Sequence, residues 1–324
     1  MTSQKQSGLL RNRRQFIATA GTAALAPAAI ATVSPTSSRP RMSNEALRAL
    51  FKDPIWNRET TARLEADIAP GKFVNGYVTG TVCGVRDGEA VRPLFGFEVF
   101  SALRVVKQAN GTYQRMCREL VFYRDLKTGE MMDTWVNPYT NEEVRVVDIA
   151  NDPFNYVISE YYPDPLNTVM PPRRPFLRDW ALLRDDMVIL QSDIHLYYRN
   201  ALDPVVWPRE SSGVMNRVSE LFRYQIRRDD IENPELTHLP HTGVWNRVTP
   251  WLPWMLMGPT PGHILYAGAF SSVSGVDAIP PAVAKRVLER YPYYQIAPEK
   301  WVEPSLSSLE NYVKTQKPAP AKNK

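Results

Sequence analysis

Residues 76–155 carry a succession of strand-like runs separated by compact turn signals, and that rhythm restricts the chain to an antiparallel sheet. Asp87-Gly88 and Asn110-Gly111 are the dipeptides a type I′ hairpin favours, since both central residues there take positive φ. Thr128-Gly129 closes the next turn, and Asn137-Pro138 opens another, proline pre-setting φ at the second turn position. The strands are expected near 76–85, 91–106, 112–124, 131–136 and 144–149. Pro93 marks an edge or a bulge at the start of the second.

Beyond Asp152-Pro153, residues 156–161 resume the sheet and the proline-rich stretch 163–175 reads as a connection. Residues 186–199 form the clearest later strand. Side chains alternate with period two, so Val188, Leu190, Ser192, Ile194, Leu196 and Tyr198 share one face. Gln191, Asp193, His195, Tyr197 and Arg199 share the other. Residues 217–227 repeat the pattern, with Val218, Phe222, Tyr224 and Ile226 against Ser219, Arg223, Gln225 and Arg227. The segment 243–262 is aromatic but broken by four prolines, and 263–270 reads as a last strand. Short helices are expected at 44–52, where Ser43 is the N-cap and Asp53-Pro54 the stop, and at 282–290 and 305–314. The fold class is therefore mainly β: an antiparallel up-and-down barrel or strongly curved sheet of about ten strands with a few peripheral helices.

The charge is unevenly placed. The chain has 39 basic and 34 acidic residues. Residues 1–31 hold Lys5, Arg11, Arg13 and Arg14 and no acid, leaving 35 against 34 without them. The last eleven residues hold four more lysines, so 32–313 carry 31 basic against 34 acidic residues, a net −3. A nucleic-acid binder needs a basic folded surface, and that class is excluded. Arg13-Arg14, followed by Phe16-Ile17 and the apolar run to Ala31, resembles a twin-arginine (Tat) export signal with an Ala29-Ile30-Ala31 cleavage site. The run is too short and too weakly apolar to span a membrane. The expected organisation is a signal peptide at 1–31, a linker at 32–42, one β-rich domain at 43–313 and a disordered Lys/Pro tail at 314–324. The mature chain is then periplasmic, with no transmembrane helix and the Tat translocase as its partner during export. In that compartment disulfides persist. Cys83 and Cys117 are candidates for a cross-strand bridge, with two buried free thiols as the alternative.

The leader, the run RELVFYRDLKTGEMMDTWVNPYTNEEV with VVDIANDPFNY after it, and the later VTPWLPWMLMG resemble a bacterial and fungal family. It is the domain-of-unknown-function family numbered eighteen-thirty-eight. The resemblance covers roughly residues 46–303. It implies a shared fold and export and brings no catalytic residues with it.

Three constellations carry candidate chemistry. On a strand, Asp193, His195, Tyr197 and Arg199 project from one face about 7 Å apart. Asp193 would orient His195 as a general base, and Tyr197, Arg199 and Arg223 would hold the substrate. The same alternation also describes an ordinary solvated outer face. His238, His241 and His263 lack a recognised metal signature, so no metal or cofactor is expected. Trp245, Trp251 and Trp254, with Met255 and Met257, would either rim an apolar pocket or complete the core. Glu98, Glu119, Asp133, Asp148 and Asp152 show no spacing that singles out a pair. No nucleotide-binding loop or nucleophile elbow occurs. The expected function is binding of an apolar or aromatic small molecule, with a cofactor-free lyase or isomerase step as its enzymatic form. The alternative is a non-catalytic carrier or an envelope interaction protein using the Trp-rich segment.

Overall fold

The computed structural model describes residues 40–162 and 174–321. Two helices come first, α1 (Asn44–Leu50) and α2 (Pro54–Glu65). The strands β1 (Val74–Val85), β2 (Arg92–Lys107) and β3 (Tyr113–Arg124) follow as a meander. Next are β4 (Thr134–Asn137), β5 (Glu142–Arg145), β6 (Ile149–Asn151) and β7 (Tyr156–Ile158). The second half contains β8 (Leu182–Leu183), β9 (Met187–Arg199), β10 (Met215–Arg227), the short α3 (Arg228–Ile231), β11 (His241–Thr249) and β12 (His263–Val273). It ends with α4 (Pro281–Arg290) and α5 (Ser308–Thr315).

Ten strands form one antiparallel sheet in the order β6-β3-β2-β1-β12-β11-β10-β9-β8, with β7 also on β3. The expected mainly-β class holds in its second form, because the sheet is curved but not closed. The first and last long strands pair, β1 with β12, so the opening lies mid-chain between the β3 and β9 edges. Close backbone approach permits the bend. A Cβ on Gly80 would stand 2.2 Å from the Ala267 carbonyl oxygen and 2.7 Å from the Phe97 ring, room that only glycine leaves.

Three local expectations are corrected. Gly88 and Gly111 take positive φ, but Asp87 and Asn110 do not. The 108–112 turn is accordingly a tight turn followed by a left-handed glycine, with Gly111 N donating to the Gln108 carbonyl at 2.9 Å. The meander leaves the main sheet after β3: Met131 makes only an isolated bridge to Arg124, and β4 and β5 pair with each other as a separate hairpin. The first helix does stop before Asp53-Pro54, at Leu50, but that dipeptide begins a second helix that was not expected. Asp53 caps α2 by accepting from Ile55 N at 2.9 Å, and Pro54 occupies the first turn, where its missing N–H costs nothing.

Helices bridge the opening. One face of α2 packs Ala62 and Ala66 against Leu103, Tyr113, Cys117 and Ile158 near the β3 edge. Leu64 packs with Val188, Leu190 and Ile226 near the other. On α5, begun by a Ser307–Glu310 capping box, Asn311 donates to Asn151 on β6 at 2.9 Å. Its Tyr312 lies 5.8 Å from the Trp207 ring, in the segment after β9. The expected disordered tail is corrected for 314–321: α5 runs to Thr315, Pro320 O accepts from Arg209 at 3.0 Å, and Ala319 N donates to Glu210 at 2.5 Å. On the outer face, α4 covers Phe100, Leu120 and Phe122 with Val283 and Val287. No helix among the described residues is long and apolar enough to cross a membrane. The twin-arginine segment lies outside the described residues.

Candidate functional site

The curved sheet encloses a cavity of about 710 Å³. Its wall on β9 is Ser192, Ile194, Leu196 and Tyr198, the mostly apolar face of that strand. Period-two alternation then turns Asp193, His195, Tyr197 and Arg199 outward. His195 and Arg199 are exposed, and Tyr197 keeps 44 % of its surface in solvent. The candidate Asp193–His195 catalytic pair therefore lies outside the cavity, on the solvated outer face that the same alternation also described. Arg223, on the same outer face, donates to Asp193 at 2.5 Å, and His195 Nδ1 lies 3.0 Å from Ser219 Oγ. Asp193 is thus bound to arginine and does not orient the imidazole.

The tryptophans divide. Trp245 stands on the cavity wall, 5.5 Å from Tyr266 and 5.6 Å from Phe97. Trp251 and Trp254 are 4 % and 3 % exposed and also line the cavity. Trp254 packs edge-on to Trp135 and 5.1 Å from Tyr123, which is the core-completing alternative. Cys83 and Cys117 are both free thiols, so the proposed bridge is corrected. Cys83 is on β1 opposite Leu265, Cys117 on β3 opposite Leu103, and β2 separates the two strands. Burial pushes the Cys117 thiol up to about 12, which keeps it unreactive. Among the described residues no group of three or more His, Cys, Asp and Glu is placed to hold a metal ion.

The chemistry on the inner face belongs to other residues. Glu220 on β10 sits directly opposite Arg247 on β11, and Tyr266 on β12 follows it in register. Arg247 Nη1 lies 3.5 Å from Glu220 Oε1, and Trp245 Nε1 donates to Glu220 Oε2 at 3.2 Å. The Arg247 guanidinium forms no hydrogen bond to another described residue, and its Nε is buried without an acceptor. Glu119 projects from β3 and accepts from Asn151 at 3.0 Å. Burial pushes its carboxyl above the ordinary glutamate range against the pull of Arg115 and Asn151, and the Glu220 charge adds to the rise. In the sheet β2, β1, β12 and β11 all lie between β3 and β10. Curvature alone brings Glu119 and Glu220 within electrostatic reach.

Nearer α2 a second polar group lines the cavity. Arg115 donates to Glu65 at 3.1 Å, and Tyr156 OH donates to the other Glu65 oxygen at 2.9 Å. Arg178 donates to Gln191 O at 2.9 Å and Thr61 Oγ1 at 2.8 Å, tying β9 to α2 across the opening. Burial pulls its guanidinium down to about 10. His241 lies here too, as the first residue of β11 rather than in a loop. Its Nδ1 is 2.8 Å from Leu239 O, so that nitrogen carries the proton when the ring is neutral. Burial lowers its pKa and favours that neutral form.

The sequence reading passed over Glu220 and Arg247, although a signal was present. Glu220 interrupts the apolar face Val218, Phe222, Tyr224 and Ile226, and Arg247 follows Trp245 on the inner face of β11. A charge on the apolar face of a strand is costly unless it is paired or used. Such an interior can bind an anionic oxygen at Arg247, flank a flat ring with Trp245, Phe222 and Phe270, and exchange a proton through its two glutamates.

Comparison with known proteins adds the family. No curated protein matches the chain. Residues 75–316 match the family described as "Protein of unknown function (DUF1838)", close to the span of the resemblance read from the motifs. That match covers well over half of the sequence, and the chain belongs to this family.

Proposed function

We propose that this domain binds a small molecule with an aromatic or apolar body and an anionic oxygen, inside the curved sheet and after export to the periplasm. Arg247 carries the reading. Among the described residues its guanidinium has an ion pair to Glu220 at 3.5 Å and no hydrogen bond, and it faces a cavity of about 710 Å³ beside aromatic walls, which leaves donors for a ligand. The envelope-interaction alternative is less favoured, because Trp251 and Trp254 are buried and offer no aromatic surface. Export rests on Arg13-Arg14 and the apolar run to Ala31.

Naphthalene-2-carboxylate is a direct probe of binding. It is expected to quench tryptophan fluorescence saturably, with Trp245→Phe muting the signal while calorimetry still detects binding. Native mass spectrometry of the purified chain should also reveal a co-purifying acid. Neither saturable quenching nor a bound molecule would count against the reading. For export, Arg13→Lys/Arg14→Lys is expected to leave uncleaved precursor in the cytoplasm. Unchanged delivery of the double variant to the periplasm would refute the twin-arginine route.

A further inference from the structure

Glu220, Glu119 and Arg247 all line the cavity, and the surroundings of the two carboxyl groups differ. Glu220 is held on both oxygens, by Arg247 and by the Trp245 indole. Glu119 reaches the same space from the far wall, held by Asn151, and interacts with both Glu220 and Arg247. Arg247 in turn feels both glutamates. Two carboxylates within reach of each other repel, which favours a proton on one of them. Burial acts on Glu119 in the same sense and outweighs the opposing pull of Arg115 and Asn151. The result is an acid and a base on opposite walls of a ligand cavity.

We propose that Glu220 and Glu119 are the base and the acid of a proton-transfer site for aryl 2-oxo acids, with Arg247 holding the substrate carboxylate. This rests on the binding reading above. The substrate class follows from the chemistry. A glutamate carboxylate removes a carbon-bound proton only where a neighbouring carbonyl activates it. The aromatic walls take the ring, and a planar guanidinium matches a carboxylate.

In the step, Glu220 takes a proton from the carbon next to the carbonyl. The C–H electron pair becomes the new carbon–carbon π bond, and the carbonyl π pair moves onto oxygen. Glu119 gives its proton to that oxygen, and the enol forms with no change of oxidation state. Glu220 then loses its proton to water and Glu119 regains one from water, which restores the starting state.

Phenylpyruvate and the full chain in D₂O test this. Proton NMR follows loss of the methylene signal, and tryptophan quenching follows binding. The expected result is exchange well above the buffer rate, reduced at least about 100-fold in Glu220→Gln, whose binding is retained. Glu119→Gln should slow enol formation, read by ultraviolet absorbance, again with binding retained. Should Glu220→Gln fail to fold by circular dichroism, Glu220→Asp keeps the charge, moves it back by one methylene and should still lose exchange rate. Binding without exchange above buffer overturns the proton-transfer site and leaves the binding reading standing. Undiminished exchange in either folded Glu220 variant overturns the assignment of the base. No binding of phenylpyruvate overturns the substrate class, and failure of naphthalene-2-carboxylate as well overturns the binding reading beneath it.

Discussion

Arg286→Met is expected to destabilise the fold by about 3 kcal/mol at neutral pH, the lower end of what breaking a buried ion pair costs. Arg286 enters the α4–sheet interface beside Val283 and Val287. It donates to Asp148 at 3.1 Å and to Asp133 at 2.5 Å, and its guanidinium stands 5.7 Å from the Phe122 ring. The Arg286 and Asp148 side chains are 6 % and 5 % exposed. Methionine fills much of the volume, so the loss is that of the pair and not of packing. Asp148 Oδ1 already lacks a partner, and without Arg286 its carboxylate would keep only the Tyr291 hydroxyl, which donates at 3.3 Å, and the half-exposed Arg290 at 3.6 Å.

The sign with pH is fixed. Burial raises the Asp148 carboxyl while Arg286 opposes the rise. A carboxyl raised in the folded state loses stability as pH climbs above its unfolded value. The variant's deficit should therefore be largest at neutral pH and shrink towards the ordinary aspartate range, where Asp148 becomes neutral. Urea denaturation at pH 7 and pH 4 measures this, and a deficit below about 1 kcal/mol at pH 7 would contradict it.

How much of this was legible in the sequence depended on locality. The hairpins β1–β2 and β2–β3 were visible because Gly88 and Gly111 must sit where φ turns positive. The turn geometry was not, since a glycine-bearing dipeptide suits more than one turn type. The departure of β4 and β5 from the sheet was also hidden. Asn137 holds that hairpin by donating to Met255 O at 2.8 Å, a partner more than a hundred residues away. Proline after Asp53 and after Thr249 was read as a break. Asp53-Pro54 instead begins a helix, and the prolines after Thr249 lie beyond a complete strand. Alternation along β9 separated its two faces correctly without saying which looks inward. Asp193 and His195 were favoured because their chemistry is familiar, and they proved to be on the outside. The better rule was on β10: a lone Glu220 among Val218, Phe222 and Tyr224 marks the polar point of an otherwise apolar wall.

Arg247 and Glu220 allow that rule to be tested by stability and affinity together. If the pair merely holds β10 to β11, replacing both partners with neutral residues should weaken the fold. If it is kept for a ligand, Arg247→Met/Glu220→Gln should be neutral or raise stability by about 1–4 kcal/mol, because two charges no longer need to leave water. Arg247→Met alone should behave differently. Among the described residues it leaves the Glu220 carboxylate with only the Trp245 indole, and an uncompensated, largely enclosed charge costs stability. Affinity for naphthalene-2-carboxylate should fall in both variants by about 2–5 kcal/mol, the loss expected when one partner of an enclosed charge pair is removed. Thermal denaturation and calorimetry on the same preparations give both numbers. A double variant that is less stable than wild type yet binds as tightly would mean that Arg247 serves the sheet rather than the cavity. A double variant that is more stable and no longer binds would show a charge retained at the fold's expense, the usual trade between stability and a working site.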